Sequence, residues 1–374
     1  MFMRFKLLGT LTGVLLASSS AFAQQVTTKA PFTVTIGGSV RSDFGFMQDD
    51  TANVQDREAR LDYRLHLKAE AKAENGLVYG FDARLRNNQN SAGQTNQDVV
   101  GADRKFVYLR GDSWGQVQLG DNIGVATQLE TATPNVGIGQ GDVVGFANFG
   151  NYSFFYFDRD TFATRITYVT PRFAGFQAGA TYTPEYRDTG RGNRRGDSDV
   201  TGGNYKDELE FALTTQQKFG AFGVQASAAY LTGKEKVPTR GDFAVLSLGG
   251  VVSYDVATGQ TIAVGGNYFD NGETNKVKTA RGTAETTGWN VGVSYTVASA
   301  WAVAANYTEN LTETPGARDQ TDKVFGVGGA YQLAPGLSLQ ADAAFFDIET
   351  ATGLKAGKTS NEGTQFTLRT RVDF

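Results

Sequence analysis

From residue 60 to residue 74 the chain alternates between apolar and charged side chains. Leu61, Tyr63, Leu65, Leu67, Ala69, Ala71 and Ala73 hold the odd positions, and Arg60, Asp62, Arg64, His66, Lys68, Glu70, Lys72 and Glu74 hold the even ones. A period of two places every apolar group on one face of a β-strand, whereas a helix would scatter them around its axis. The run is much longer than the roughly 5–6 residues of an ordinary globular strand. Its length suits a tilted strand that crosses a hydrocarbon layer, which takes about 9–11 residues, and projects beyond it.

The pattern recurs to the end of the chain. Residues 32–46 keep Val34, Ile36, Val40, Phe44 and Phe46 in phase, and residues 77–88 alternate Leu77, Tyr79, Phe81, Ala83 and Leu85 with Asp82, Arg84 and Arg86. Further strands are expected at 103–111, 115–121, 163–172, 175–185, 205–219, 222–233, 242–255, 260–270, 284–297, 300–310, 322–333, 337–348 and 362–374, which brings the count to sixteen. Tight turns such as Glu74-Asn75-Gly76 and Ala334-Pro335-Gly336 alternate with longer connections rich in Gly, Asn, Asp, Thr and Arg. An even number of strands, with short turns at one rim and long loops at the other, predicts an all-β fold: a transmembrane antiparallel β-barrel. Closure satisfies every backbone N–H and C=O inside lipid. Aromatic residues near strand ends, among them Phe32, Tyr182, Phe222, Tyr254, Tyr268, Trp301 and Tyr331, fit girdles at the two lipid interfaces. Strand four is open to two readings, because Phe106 and Tyr108 compete with Val107 and Leu109 for the outer face.

The first residues address the chain. Arg4 and Lys6 precede the apolar run from Leu7 to Ala17, and Ala21-Phe22-Ala23 has the small-residue form of a cleavage site. Residues 1–23 therefore read as a secretory signal peptide and 24–374 as the barrel domain, the run being shorter than the roughly 18 residues of a spanning helix. Without Arg4 and Lys6, 33 of the 35 Lys+Arg remain against 39 Asp+Glu, moving the net charge from −4 to −6. That balance argues against a nucleic-acid partner. Cysteine is absent, which removes disulfides and thiolate metal sites, and neither a metal nor a cofactor is expected. The negative mean hydropathy is compatible with a membrane barrel, whose lumen residues offset its lipid-facing ones.

Several segments resemble the general (Gram-negative type) porin family. The stretch RKFVYLRGDSWGQVQLGD (104–121) is similar to that family's fourth strand, turn and fifth strand, and TRITYVTPRFAGFQAGATYTP (164–184) to the hairpin after its constriction loop. The ending TQFTLRTRVDF carries Phe374 where the family has the C-terminal aromatic read by the barrel assembly machinery. The resemblance implies a sixteen-stranded homotrimer in the Gram-negative outer membrane, in contact with the bilayer and with lipopolysaccharide. It also implies passive diffusion of ions and small hydrophilic solutes, and a third loop folded into the lumen. Residues 122–162 are the longest connection, pliable at Gly137, Gly139, Gly141 and Gly145, with aromatics such as Phe146, Phe149 and Phe154 to bury.

A pore selects by the charges at its narrowest point. Strand parity turns Arg41, Arg64, His66, Lys68, Arg84 and Arg86 toward the lumen, and the long loop supplies Glu130, Asp142, Asp158 and Asp160. By resemblance, the basic set forms one wall of the constriction, with Arg41, Arg64 and Arg84 near mid-height and Glu130 and Asp142 opposite. The acidic loop motif of enterobacterial porins is missing. Arg165, Arg369 and Arg371 also point inward by parity. A channel selective for sugars, phosphate or carboxylates, and an adhesive surface barrel, stand as alternatives. Catalysis is not expected: His66 is the single histidine, and a Ser-His-acid site in a barrel would need it beside a Ser on the outer surface or a rim, whereas parity turns it to the lumen. Gly137-Ile138-Gly139-Gln140-Gly141 lacks the strand–helix setting of a dinucleotide site.

Overall fold

A computed structural model describes residues 32–88, 99–136, 162–185, 204–298 and 300–374. The chain forms β1 (Thr33–Gln48), β2 (Arg57–Lys72), β3 (Val78–Asn88), β4 (Val99–Gly111), β5 (Gly115–Asn122), β6 (Ala163–Val169), β7 (Phe176–Glu185) and β8 (Tyr205–Phe219). It continues through β9 (Phe222–Glu235), β10 (Phe243–Ala257), β11 (Gln260–Gly272), β12 (Glu285–Val297), β13 (Trp301–Glu313), β14 (Gln320–Ala334), β15 (Leu337–Ile348) and β16 (Asn361–Asp373). One helical turn, α1 (Val125–Gln128), follows β5.

Each strand pairs antiparallel with its sequence neighbours, and β1 pairs with β16, so the sheet closes on itself as a sixteen-stranded barrel. The sixteen strands expected from alternation are all present. Closure leaves no open edge, which lipid requires. At the seam Arg41 stands opposite Arg371 and Asp43 opposite Arg369. Gly38 and Phe374 then exchange two backbone hydrogen bonds at 2.8 and 3.1 Å, so the last residue completes the ladder.

Alternation sorts the two faces as expected. Ile36, Phe44, Leu61, Ile166, Phe211, Val264 and Val303 stand on the outer face and are exposed, an apolar belt far too extensive for a water-facing surface. Aromatic pairs mark both ends of that belt. Phe222 with Tyr254 and Tyr295 with Trp301 lie near the short turns, and Trp289 with Tyr307 and Phe325 with Phe345 lie near the long loops. The short turns need special backbone: Ala174 and Gly175 adopt φ of 48° and 84°, closing the two-residue hairpin between Phe173 and Phe176.

Strand four settles in one of its two readings. Val107 and Leu109 face outward, while Phe106 and Tyr108 are buried on the inner face beside Val78. The strand also begins at Val99 rather than 103, because a register shift opposite Arg84 and Leu85 lets residues 99–102 extend the ladder. The expected signal peptide, 1–23, lies outside the described residues.

Candidate pore constriction

The inner face of β16, β1, β2, β3 and β4 carries a continuous charged wall. Cross-strand register places Ser39, Arg64 and Arg86 in one row, and Gly37, His66, Arg84 and Arg104 in the next. All six basic residues expected at the wall, Arg41, Arg64, His66, Lys68, Arg84 and Arg86, share this surface.

The wall holds acids as well. Arg41 donates to Asp62 at 2.6 Å, and Asp62 is also 4.0 Å from both Arg64 and Arg86. Arg84 grips Asp103 through two hydrogen bonds of 2.8 and 2.7 Å, and Arg86 reaches the same carboxylate at 3.2 Å. Asp43 accepts two bonds from Arg369, at 2.6 and 2.8 Å, and one from Arg60 at 3.3 Å. Glu70 accepts from Lys68, Tyr108 and Arg110, and the Lys68 ammonium lies 5.7 Å from the centre of the Tyr108 ring. Bidentate guanidinium–carboxylate pairs fix orientation as well as charge. Sequence reasoning did not select Asp43, Asp62, Glu70 and Asp103 as site residues. The signal existed for two of them, since Asp62 and Glu70 stand in the same even-numbered row as Arg64.

Neutralisation is uneven. Arg41, Arg84 and Arg369 each hold a carboxylate at close range, whereas Arg64 has Asp62 only at 4.0 Å. Arg104 makes no ion pair with a carboxylate among the described residues. Among the described residues Arg64 and Arg104 are therefore the least neutralised guanidiniums of the wall, with Arg86 held by Asp103 at 3.2 Å.

The start of the third loop, 123–136, runs along the inside of the barrel. Its first turn meets β8, where Glu210 accepts the Ala126 N–H at 3.0 Å and the Arg165 guanidinium at 2.6 Å. Both side chains of that ion pair are almost fully buried, at 1% and 2% exposure. Gly124 makes the approach possible, since a Cβ there would overlap the Glu210 carboxylate. The Val125 N–H bonds to the Thr181 hydroxyl, the Thr131 N–H to Ser227, and Asn267 donates to the Thr131 carbonyl. The Thr133 hydroxyl donates to Asn267 at 2.5 Å and also contacts Asn290. Val125, Ala126 and Leu129 are buried with Leu231, Phe243 and Phe269, so this side of the lumen holds an apolar core. At the loop's other end, the Phe162 ring lies 5.2 Å from the Arg84 guanidinium.

Glu130 lies on the described part of the loop, half-buried between Leu129 and Thr131. Asp142, Asp158 and Asp160 fall outside the described residues. Arg165, expected as an inward charge, is locked in the pair with Glu210, and Arg371 pairs with Asp373 at 2.8 Å. Among the described residues no cluster of His, Cys, Asp and Glu could hold a metal ion.

The sequence profile of Gram-negative porins matches residues 10–351 of this chain. The chain belongs to the Gram-negative porin family. This porin is an outer-membrane protein, and its barrel is a channel. Among solved structures, the anion-selective porin from Comamonas acidovorans is similar at a TM-score of 0.58 and 19% identity, covering 92% of this porin and 100% of that chain. The outer membrane channel DcaP of Acinetobacter baumannii is similar at 0.61 and 12% identity, covering 93% and 99%. The trimer form of OmpT from Vibrio cholerae is similar at 0.57 and 13% identity, covering 92% and 99%. These likenesses concern the fold. No curated protein matches this porin in sequence.

Proposed function

We propose that this porin is a passive, non-catalytic diffusion pore for ions and small hydrophilic solutes. One observation carries the reading: a charged wall and a loop with its ends held to the inside of the barrel face one lumen. Polar bonds from 123–136 to Thr181, Ser227, Asn267 and Asn290, together with Phe162 over Arg84, support a third loop that crosses and narrows the passage. Arg41, Arg64, His66, Lys68, Arg84 and Arg86 form the basic side of that constriction, and Glu130, Asp142, Asp158 and Asp160 the acidic side. A fixed field in a low-dielectric channel sorts ions without a binding step or an energy source.

The working form is a homotrimer, the state in which the Vibrio cholerae relative is described. Support comes from the outer face, where Lys105 of β4 pairs with Asp121 of β5 among apolar neighbours such as Val107 and Leu119. A charged pair in the lipid belt is costly, and a subunit contact would cover it. Residues 1–23 act as the export signal and are removed, Phe374 is the mark read by the barrel assembly machinery, and the long-loop rim meets lipopolysaccharide.

Planar-bilayer recording of the purified trimer tests the reading. Stepwise ohmic conductance is expected, and a folded but silent barrel would overturn it. Replacing Arg41, Arg64 and Arg84 together by Ala is expected to move the reversal potential in a salt gradient toward cations. An unchanged potential would remove these residues from the constriction.

A further inference from the structure

Below the first turn of the third loop, on the side of the short turns, the inner wall forms an open pocket of about 440 Å³ between β4, β5, β6, β7 and α1. That volume lies in the range of small-molecule sites, about 300–1,000 Å³. Its polar lining is dominated by carboxamides: Gln116 and Gln118 of β5, Gln128 of α1 and Gln177 of β7. Arg110 and Asp112 bring one charge of each sign, so the pocket is neutral overall.

The amides are held in place with valences left over. Gln118 and Gln128 form a reciprocal pair at 3.2 and 3.0 Å, and Gln128 donates its second proton to the Ile123 carbonyl at 2.7 Å. The Gln118 oxygen is completed by Asn122 at 2.6 Å. Gln177 donates to the Thr170 carbonyl and accepts from Arg172. Each amide has two N–H donors and an oxygen with two lone pairs. One N–H on Gln118, one N–H and one lone pair on Gln177, and one lone pair on Gln128 therefore remain for a guest. Gln116 makes no side-chain hydrogen bond among the described residues, so its whole carboxamide is available. Leu129 and Val169 add an apolar floor.

From this arrangement we infer that the pocket is a binding subsite for a neutral polyhydroxylated solute, of the size of a mono- or disaccharide. Hydroxyl groups both donate and accept, as the fixed amides do, and the C–H face of a sugar ring suits Leu129 and Val169. An anion would find Arg110 already shared with Glu70 and Asp112 nearby. The site gives the pore a weak preference on its inner vestibule while leaving the charged wall to ions. The inference rests on the diffusion-pore reading only in needing a vestibule open to solute.

Maltose is the first probe and gluconate the charged control. Saturation-transfer NMR on the detergent-solubilised trimer reads binding whether or not the barrel conducts, and current-noise analysis in bilayers reads the same event during flow. Saturable maltose binding is expected, weakened at least fivefold by Gln116→Leu with salt conductance unchanged. Maltose contact that never saturates, or saturation that Gln116→Leu leaves intact, overturns the subsite. Tighter binding of gluconate than of maltose, abolished by Arg110→Gln, overturns the neutral class. A silent barrel that still binds maltose would refute the diffusion pore and leave the subsite standing.

Discussion

Glu210 does three things from one inward-facing position on β8. Its carboxylate pairs with Arg165, accepts the Ala126 N–H and fills the space Gly124 leaves open. Breaking a buried pair from one side strands a charge, at a cost of about 3–5 kcal/mol. Glu210→Ala is therefore expected to lower the unfolding free energy by that order and to raise open-channel current noise, as the loop's first turn loses its anchor. The double variant Arg165→Met with Glu210→Gln keeps an acceptor for Ala126 and strands no charge, and denaturant titration should place it nearer the parent than Glu210→Ala. A neutral Glu210→Ala would show that the other partners of Arg165, the Ala163 carbonyl among them, are enough to hold its charge. Strand parity was enough to turn Arg165 inward from sequence. Its partner was not legible, because β8 lies far along the chain and nothing local in the run KDELEF marks one carboxylate as special.

The strands were legible because a half-buried strand writes its burial into every second residue. Where the writing stops, so did the reading. Residues 99–102 (VVGA) do not alternate, so the upper part of β4 was invisible, and the register shift opposite Leu85 is a property of the pairing rather than of either strand. The path of the described start of the third loop, 123–136, is set in part by the Thr131 backbone bonding to Ser227 and Asn267, partners about a hundred residues downstream or more. Loops nearer the seam hold each other more openly. Between 49–56 and 349–360, the Lys355 N–H bonds to the Asp50 carbonyl, Ala52 to Gly353, and the Lys358 ammonium to the Asp50 carboxylate at 2.8 Å. That bond holds the Asp50 carboxyl below its ordinary value of 3.8 and the Lys358 ammonium above its ordinary 10.5. A lowered carboxyl stabilises fully above its ordinary value and fades as pH falls through the lowered one. A raised ammonium stabilises fully below its ordinary value and fades as pH rises through the raised one. The clasp should therefore hold between pH 3.8 and pH 10.5, loosening only as pH falls below the first through the lowered Asp50 value or rises above the second through the raised Lys358 value, and also in high salt, which screens exposed pairs. Spin labels on Val54→Cys and Ala356→Cys would report this as a distance distribution narrow within that window and broad outside it. The chain has no native cysteine to interfere. A distribution indifferent to pH would assign the clasp to its backbone bonds alone.

Across the whole barrel the outer face is apolar between two aromatic girdles, apart from features such as the pair of Lys105 and Asp121. Thr164 also contacts the Asp121 carboxylate, so the acid is well served while the Lys105 side chain remains 43% exposed. Asp121→Ala leaves an unpaired ammonium in the belt, a cost of about 2–4 kcal/mol near the membrane midplane. If this face is a subunit contact, the variant's trimer should dissociate at a lower temperature on semi-native gels while each barrel still conducts. If it faces lipid, the trimer's dissociation temperature should stay where it was and only the barrel's own unfolding should shift.

The seam carries one more consequence. Because Gly38 and Phe374 bond to each other on the rim that holds the short turns, the ring of ladders has no privileged first strand. Joining Phe374 by a linker to the start of β1 at Thr33 and reopening the chain at any other short turn would preserve every strand pairing. Such a cyclic permutation would move the terminal aromatic residue away from its place beside Gly38. The shape of the ring and the assembly role proposed for Phe374 could then be tested separately.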